Sequence, residues 1–181
     1  MRTIGITFVA TATSLLFAGC GSNEPDAAAA TMPETIIAVA QLQPTAGNAV
    51  TGTVTFSSAA NGVRVVAEVA GLTPGDHGFH VHQTGDCSAP DGTSAGGHFN
   101  PEAHDHGPRT AEVRHVGDLG NLTVDADGNA HLDFVDTGIA LSGEHSIVGR
   151  GVIVHASPDD YSQPTGNAGA RVACGVIELV E

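Results

Sequence analysis

The chain of 181 residues contains ten histidines, and these are the side chains best suited to bind a metal ion or transfer a proton. His80 and His82 stand two positions apart in the run Gly78-Phe79-His80-Val81-His82. Alternate side chains of a β-strand leave the same face, so a strand here would present both imidazoles as a pair of ligands for one ion. The spacing therefore predicts a metal site that begins on a strand.

More candidate ligands follow in the same part of the chain. His98, His106 and His115 come at spacings of eight and nine residues, and Asp118, a hard oxygen ligand, lies three residues beyond His115. His155 ends an apolar run, which would project its side chain from a rigid strand. Imidazole with little thiolate suits zinc and copper. We therefore expect this cluster to hold metal ions rather than to be a chance set of surface histidines.

The elements that must position these groups are short strands. The chain has 24 Gly, 9 Pro and no Trp, a composition that long helices tolerate poorly. From Ile36 onward apolar residues recur with a period of two, with hairpin signals at Asn61-Gly62 and Asp127-Gly128. Further short apolar runs occur at 139–141, 152–154 and 172–179. The pattern predicts an all-β domain, either an antiparallel sandwich or a flattened barrel.

Two long stretches interrupt this rhythm. Residues 83–118 are rich in Gly, Pro, His and Asp, and residues 156–171 are rich in Pro, Asp, Gly and Asn. Long irregular loops in a compact domain are usually functional. Because the candidate ligands gather in and around them, we expect both loops to build the site.

The charge balance is strongly acidic. The chain has 20 Asp and Glu against six Arg and no Lys, which gives a formal net charge of −14. Such a surface repels nucleic acid and anionic lipid, and it favours solubility and cation binding. We therefore expect no nucleic-acid partner, and an anionic substrate would be opposed at long range.

The N-terminus has the layout of an export signal. A short positive start and an apolar stretch end in small residues before Cys20. The ending LLFAGC resembles a bacterial lipoprotein box, in which the cysteine carries the lipid; the alternative is an ordinary signal peptide with a chance cysteine. We expect a signal peptide at 1–19, a lipidated Cys20 with a flexible tether over 20–35, and one domain at 36–181. We therefore expect an exported protein that is anchored by lipid to a membrane in the periplasm or cell envelope.

Two other cysteines are present, Cys87 and Cys174. An exported protein tends to pair its cysteines because its surroundings are oxidising. The arithmetic therefore favours a disulfide between these two residues, with two free buried thiols as the alternative.

Four longer runs together resemble the copper–zinc superoxide dismutase family. They are HGFHVHQTGDC (77–87), GGHFNPEAHDHG (96–107), RHVGDLGN (114–121) and GNAGARVACGVI (166–177), in the family's order. The resemblance extends over the whole predicted domain and implies a Greek-key antiparallel β-barrel with one copper and one zinc per chain. Together with the lipoprotein-like start, it points to a bacterial lipoprotein-type member.

The resemblance also implies a role for each candidate residue. The copper ligands are matched by His80, His82, His98 and His155. The zinc ligands are matched by His98, His106, His115 and Asp118, so His98 would serve both ions. Asp159 resembles a carboxylate that orients ligands of both metals, Arg171 resembles the active-site arginine, and Cys87 and Cys174 resemble the intrachain disulfide. Among the other histidines, we expect a core hydrogen bond for His77 and solvent exposure for His104, and we assign no role to His131 and His145.

The implied activity is the dismutation of superoxide to dioxygen and hydrogen peroxide. It needs a metal that cycles by one electron, which zinc cannot do and copper can. The implied catalytic residues are His98 and Arg171, whose guanidinium would supply a fixed charge and a forked donor beside the copper. The alternative is a lipoprotein that stores copper and zinc without turnover, which does not explain why Arg171 accompanies a full ligand set. The family is often dimeric, but the residues do not decide whether this chain forms a homodimer.

Overall fold

The computed structural model describes residues 35–180, and its regular structure consists of eight β-strands and one short 3₁₀ turn. The strands are β1 Ile36–Pro44, β2 Thr51–Ala59, β3 Gly62–Ala70, β4 Gly75–His82, β5 Asp118–Val124, β6 Asn129–Asp136, β7 Gly151–His155 and β8 Arg171–Leu179; the 3₁₀ turn is Thr93–Ala95. Among the described residues, no helix has the length and apolar character needed to cross a membrane. The predicted signal peptide, Cys20 and nearly all of the tether lie outside the described residues.

The strands form a nearly closed antiparallel barrel. Their hydrogen-bonded order is β5-β4-β7-β8-β1-β2-β3-β6, and every pair is antiparallel. Strands β1 to β3 form a meander, whereas β4 crosses to pair with β7 and β8 returns to β1, which is Greek-key connectivity. Strands β5 and β6 end the order and lie in contact without ladder pairing. The predicted all-β Greek-key fold is confirmed.

Alternation along the strands builds the core. Val54 and Phe56 of β2 and Val65 and Ala67 of β3 are fully buried, while the residues between them face outward or are only partly covered. The hairpin predicted at Asn61-Gly62 joins these two strands. Burying a large apolar side chain stabilises a fold by about 1.5–3 kcal/mol, so this face fixes the strand register.

The second predicted hairpin is only partly formed. The turn is present, because Gly128 N donates to Asp125 O at 3.2 Å and Asp125 N donates to Asn129 O at 2.8 Å. The strands on either side, β5 and β6, are nevertheless not ladder partners within the described residues. The prediction of a paired hairpin was therefore wrong, and side chains of the preceding loop contact both strands in the space between them.

Two arginines of the loop over residues 83–117 lie across that space. The Arg109 guanidinium stands 4.3 Å from the centroid of the Phe134 ring on β6. Arg114 Nη2 donates to both carboxylate oxygens of Asp136, at 2.8 and 2.9 Å, and Arg114 Nη1 donates to the backbone carbonyl of Asp118 at 3.2 Å. Arg114 and Asp136 are buried, so water cannot replace these bonds. The loop therefore joins the end of β6 to the start of β5.

The predicted run at 139–141 is a loop and not a strand. Its ladder contact within the described residues is an isolated bridge between Ala140 and Ser146. The Asp136 carboxylate accepts the backbone N–H groups two and three residues ahead, at 2.7 and 3.1 Å, so the chain turns before a strand can begin. Ile139 is buried, which shows that the apolar run serves the core from a loop.

A disulfide joins Cys87 to Cys174, as the cysteine count favours. The two residues are 87 positions apart, and the bond ties the start of the long loop to β8. Ala95 and Ile153 pack against this bond in a small apolar cluster. In the chain-entropy account, closing a loop of this length stabilises the fold by about 4–5 kcal/mol.

The buried Arg114–Asp136 pair generates a stability prediction. Arg114→Met leaves a buried carboxylate without its cation, which costs about 3 kcal/mol when a buried pair is broken. We expect the Tm of chelator-treated protein to fall by roughly 6–12 °C, at about 2–4 °C for each kcal/mol in a domain of this size. Arg64→Met is the matched control, because Arg64 pairs with Asp133 on the barrel surface. Equal Tm values for the two variants in calorimetry would contradict the assignment.

Candidate metal centre

The seven candidate ligands lie at strand ends and in the loop over residues 83–117. His80 and His82 lie at the end of β4, His155 ends β7 and Asp118 begins β5, while Arg171, the predicted active-site arginine, begins β8. The loop over residues 83–117 supplies the other three, which are His98, His106 and His115. The structure brings all seven predicted ligands together in two buried groups that share His98.

The first group is His80, His82, His98 and His155, with one ligand nitrogen from each within 4.8 Å of the others. Three buried ring nitrogens in this group have no hydrogen-bond partner: His80 Nδ1, His82 Nε2 and His155 Nε2. The opposite nitrogen of each ring is bonded, to Asp159 Oδ2 at 2.8 Å, to Gly96 O at 2.9 Å and to Gly169 O at 3.2 Å, respectively. Buried polar atoms are rarely left without partners, so the converging free nitrogens fit a metal ion.

The second group is His98, His106, His115 and Asp118, whose ligand atoms are packed more tightly. His98 Nδ1 and His106 Nδ1 each lie 2.9 Å from an Asp118 oxygen, His115 Nδ1 lies 3.2 Å from Asp118 Oδ1, and the Nδ1 atoms of His98 and His115 are 3.3 Å apart. Ligands about 2.0–2.1 Å from a tetrahedral zinc ion are separated by about 3.3 Å. The spacing and the three-nitrogen, one-oxygen donor set therefore fit zinc.

Asp159 connects the two groups. Its Oδ2 accepts a bond from His80 Nε2 at 2.8 Å, and its Oδ1 accepts one from His106 Nε2 at 2.9 Å. Each bond places the ring proton on Nε2 and leaves Nδ1 as the free ligand atom. His80, His106 and Asp159 also lie close enough together to be a third possible metal-binding group, but the two hydrogen bonds already account for this arrangement.

Three histidines of the first group, His82, His98 and His155, are held neutral by burial. Burial lowers the pKa of His82 well below its ordinary value, that of His98 to about 4 and that of His155 to about 3. At neutral pH these rings therefore carry no extra proton. Metal ions bind the neutral imidazole, so the site is electrostatically prepared for loading.

His106 behaves in the opposite way. Burial lowers its pKa, but the carboxylates of Asp118 and Asp159 outweigh burial and raise the pKa to about 9. Burial raises the pKa of each carboxyl, and the neighbouring histidines more than offset this, so both groups stay ionised. An ion that binds His106 Nδ1 must therefore displace a proton at neutral pH.

Arg171 is held by backbone carbonyls beside the first group. Its Nη1 donates to Gly92 O at 2.7 Å and its Nη2 donates to Gly96 O at 2.6 Å. Thr45 Oγ1 donates to the Arg171 carbonyl at 2.7 Å. The guanidinium is therefore fixed in position, not free to swing as a surface arginine would.

A cavity of about 190 Å³ connects this arginine to the ligand rings. His82, His98, His155 and Arg171 all line it. Four larger cavities of the described residues are lined by none of the seven ligands, although one of them also touches Arg171. A small anion that enters this cavity would meet a fixed positive charge next to the free ring nitrogens.

Several supporting residues were not singled out from the sequence. Asn121 bonds both to the backbone N–H and to the backbone carbonyl of Asp159, at 2.8 and 3.0 Å. Gln163 does the same for His106, at 3.0 and 2.8 Å. Gly166 has a φ of 75°, and a Cβ there would collide with the Asp159 carboxylate. Asn121 and Gly166 lie inside the quoted runs, whereas Gln163 carries no signal that local sequence would reveal.

The remaining histidines fall outside both groups. His77 is buried and bonds to His155 O at 2.8 Å and Thr73 O at 2.9 Å, so it makes the core hydrogen bonds expected of it. His104 is partly exposed and lies 3.2 Å from Glu102, as expected for a solvated side chain. His145 bonds to Gly138 O at 2.9 Å, and His131 is exposed beside Glu68.

Known proteins resemble this chain in sequence and in fold. Residues 50–177 match the family model described as copper/zinc superoxide dismutase (SODC). An extracellular superoxide dismutase (Cu-Zn) of Brugia pahangi is 47% identical over 160 residues, which cover 82% of this chain and 79% of that protein. A superoxide dismutase (Cu-Zn) of Onchocerca volvulus is 49% identical over 146 residues, covering 74% of this chain and 91% of that protein. The crystal structure of the clock protein EA4 has a TM-score of 0.73 at 44% identity, covering 81% of this chain and 97% of that one.

These relatives do not support the bacterial lipoprotein subtype, since both named enzymes are nematode proteins. The family match does include every residue of the two ligand groups, Asp159, Arg171 and both bonded cysteines. The metals of that family, copper and zinc, are the ones that the two donor sets fit. The chain belongs to the copper–zinc superoxide dismutase family.

Proposed function

We propose that this protein dismutates superoxide to dioxygen and hydrogen peroxide, outside the cytoplasm, at a copper–zinc pair held by the two ligand groups. The copper ligands are His80, His82, His98 and His155. The zinc ligands are His98, His106, His115 and Asp118. The observation that carries this proposal is the set of three buried ring nitrogens without partners that converge beside the fixed Arg171 guanidinium.

The residues divide the work between the two sites. Copper, when bound, supplies the one-electron cycle that dismutation needs and that zinc cannot supply. The zinc ligands hold the loop over residues 83–117 against β5, because three of them come from that loop and Asp118 begins the strand. His98 belongs to both groups, so it fixes the distance between them.

His98 is the chain's own candidate for proton delivery. Its Nδ1 lies in the zinc group, 2.9 Å from Asp118 Oδ1, and its ring lines the cavity beside Arg171. Nε2 is therefore the nitrogen left on the copper side. A peroxide product must gain protons, and His98 Nε2 would be placed to hold and donate one whenever it is not a copper ligand.

Arg171 is the candidate guide for the anionic substrate. Its pKa is lowered by burial yet stays far above neutral pH, because a guanidinium does not lose its proton in a protein. The surrounding chain is acidic and has no lysine, so this local charge must work against the field of the whole molecule. The fixed guanidinium raises the local concentration of superoxide next to the copper ligands.

Export is supported by three independent features. The N-terminus has a signal-like layout, the described domain contains a disulfide, and the similar protein of Brugia pahangi is named extracellular. Attachment to a periplasmic or cell-envelope membrane through a lipid on Cys20 rests on the run LLFAGC alone. A homodimer stays a prediction from the family.

The separate ligand sets predict separate metal losses. Asp118→Ala should lose zinc preferentially because Asp118 belongs only to the zinc group, and His155→Ala should lose copper and keep most of the zinc. His104→Ala is the control, since His104 lies two residues before His106 but outside both groups. Metal content of purified, fully loaded protein measures the result. Equal loss of both ions in each variant would contradict the assignment.

The guide role of Arg171 predicts that superoxide decay slows in the order wild type, Arg171→Lys, Arg171→Glu. Arg171→Lys keeps the charge but loses the planar fork, so it should retain part of the wild-type rate. Arg171→Glu reverses the charge and should slow superoxide decay by about tenfold or more at unchanged copper content. Stopped-flow decay on copper-matched samples measures both, with Arg64→Gln as a control for loss of one surface charge. If Arg171→Glu is as fast as wild type, Arg171 is not the anion guide; a loaded wild type without activity would instead favour metal storage.

The lipid anchor has its own test. Cys20→Ser should move the protein from the membrane fraction to the soluble fraction and leave dismutase activity unchanged. A single acyl chain binds a membrane only marginally, so stable attachment requires the multiply acylated cysteine of a lipoprotein. Fractionation of cells that express each form, with activity measured in both fractions, decides the point. Unchanged membrane retention of Cys20→Ser would rule the anchor out.

A further inference from the structure

The clamp that holds Arg171 is a short turn with a glycine at each end. Gly92 has a φ of 72° and Gly96 a φ of 76°, and the 3₁₀ turn Thr93–Ala95 lies between them. Their carbonyls accept the two Arg171 bonds described above. The position of the guanidinium therefore depends on the shape of this turn.

One carboxylate shapes the turn from the outside. Asp91 Oδ1 accepts the backbone N–H of Thr93 at 3.0 Å and the Thr93 hydroxyl at 2.6 Å. These two bonds close the start of the turn, next to the Gly92 carbonyl. A short polar side chain in this role stabilises a local turn in the same way as a helix N-cap does.

The same carboxylate brings a negative charge close to the anion guide. Asp91 is exposed, and it lines a cavity of about 320 Å³ together with Arg171 on the side of the turn where Thr45 and Asn48 lie. Burial lowers the pKa of Arg171, and the Asp91 charge acts in the opposite direction on it. The two charges therefore attract each other, and the negative charge of Asp91 reduces the positive potential that Arg171 produces at the metal ligands.

We propose that Asp91 is a positioning residue for superoxide capture. Its hydrogen bonds to Thr93 fix the turn that holds Arg171, while its negative charge weakens the attraction of Arg171 for the anion. The inference rests on the proposed role of Arg171 as the anion guide. One exposed charge near another is worth about two- to threefold in affinity at low salt, because the surrounding water screens it. Asp91 therefore keeps the Arg171 guanidinium in a fixed position and, at the same time, lowers its affinity for the anion.

Substitutions at Asp91 separate the two effects, with azide as the anion. Asp91→Asn keeps an oxygen acceptor and removes the charge, so we expect azide to bind the copper-loaded protein about two- to threefold more tightly at low salt. The gain should shrink toward 0.15 M salt, where the Debye length is about 8 Å. The rate constant for superoxide decay should follow the same trend.

Two further variants isolate the hydrogen bonds. Asp91→Glu keeps the charge, but its longer side chain cannot close the same turn, so azide should bind more weakly than to wild type. Asp91→Ala removes charge and acceptor together. Its increase in azide affinity over wild type at low salt should be smaller than that of Asp91→Asn, and at high salt it should bind azide more weakly than wild type. A structural role alone would not produce this dependence on ionic strength.

Asp86→Asn is the matched control, because Asp86 caps Ser88 N at 2.8 Å in the same loop but does not line either cavity that Arg171 lines. We expect it to leave azide affinity unchanged. An Asp91→Asn variant that binds azide no more tightly than Asp86→Asn, while Arg171→Glu binds it weakly, would overturn this inference alone. Unchanged azide affinity in Arg171→Glu would overturn the guide role of Arg171 and this inference with it.

Discussion

One buried carboxylate controls the geometry of both ligand groups. Asp159 bonds to His80 with one oxygen and to His106 with the other, at 2.8 and 2.9 Å. Because each bond fixes a ring proton on Nε2, it also decides which nitrogen is free to bind an ion. No water can take over these bonds in a buried site. The relative position of the two ion sites is therefore set by the span of a single carboxylate and by the shared ring of His98.

The barrel and its loops can be understood as the support for that carboxylate. Asn121 on β5 binds the Asp159 backbone on both sides, and the Tyr161 N–H donates to Asp159 Oδ1 at 2.8 Å. Gly166 must lack a side chain because the carboxylate fills that space. The loop over residues 156–170 thus depends on β5, a strand that follows the other long loop. Arg114 in turn fixes the start of β5, so both loops and the barrel edge form one connected support.

The sequence predicts best what depends on local pattern. The alternation of apolar and polar residues predicted strands β1 to β3. The two-residue spacing of His80 and His82 predicted that both side chains share a face at the end of β4. The missing ladder between β5 and β6 was not predictable in this way, since local pattern gives no sign of contacts such as that of Arg114 with Asp136, 22 residues away. Gln163 was missed for the same reason, because it contacts His106 across 57 residues. Turn signals report a turn, but they carry no information on whether distant side chains will separate the strands.

The Gly96 carbonyl has a mechanical consequence for the site. It accepts one bond from His82 Nδ1 at 2.9 Å and another from Arg171 Nη2 at 2.6 Å, so both lone pairs of one oxygen are in use. A ligand drawn toward an ion and a guanidinium drawn toward an anion therefore pull on the same peptide plane. Any tilt of that plane changes the hydrogen bond from His82 and the hydrogen bond from Arg171 at the same time. A shift of the His82 ring and a shift of the Arg171 guanidinium are therefore coupled through a single rigid amide.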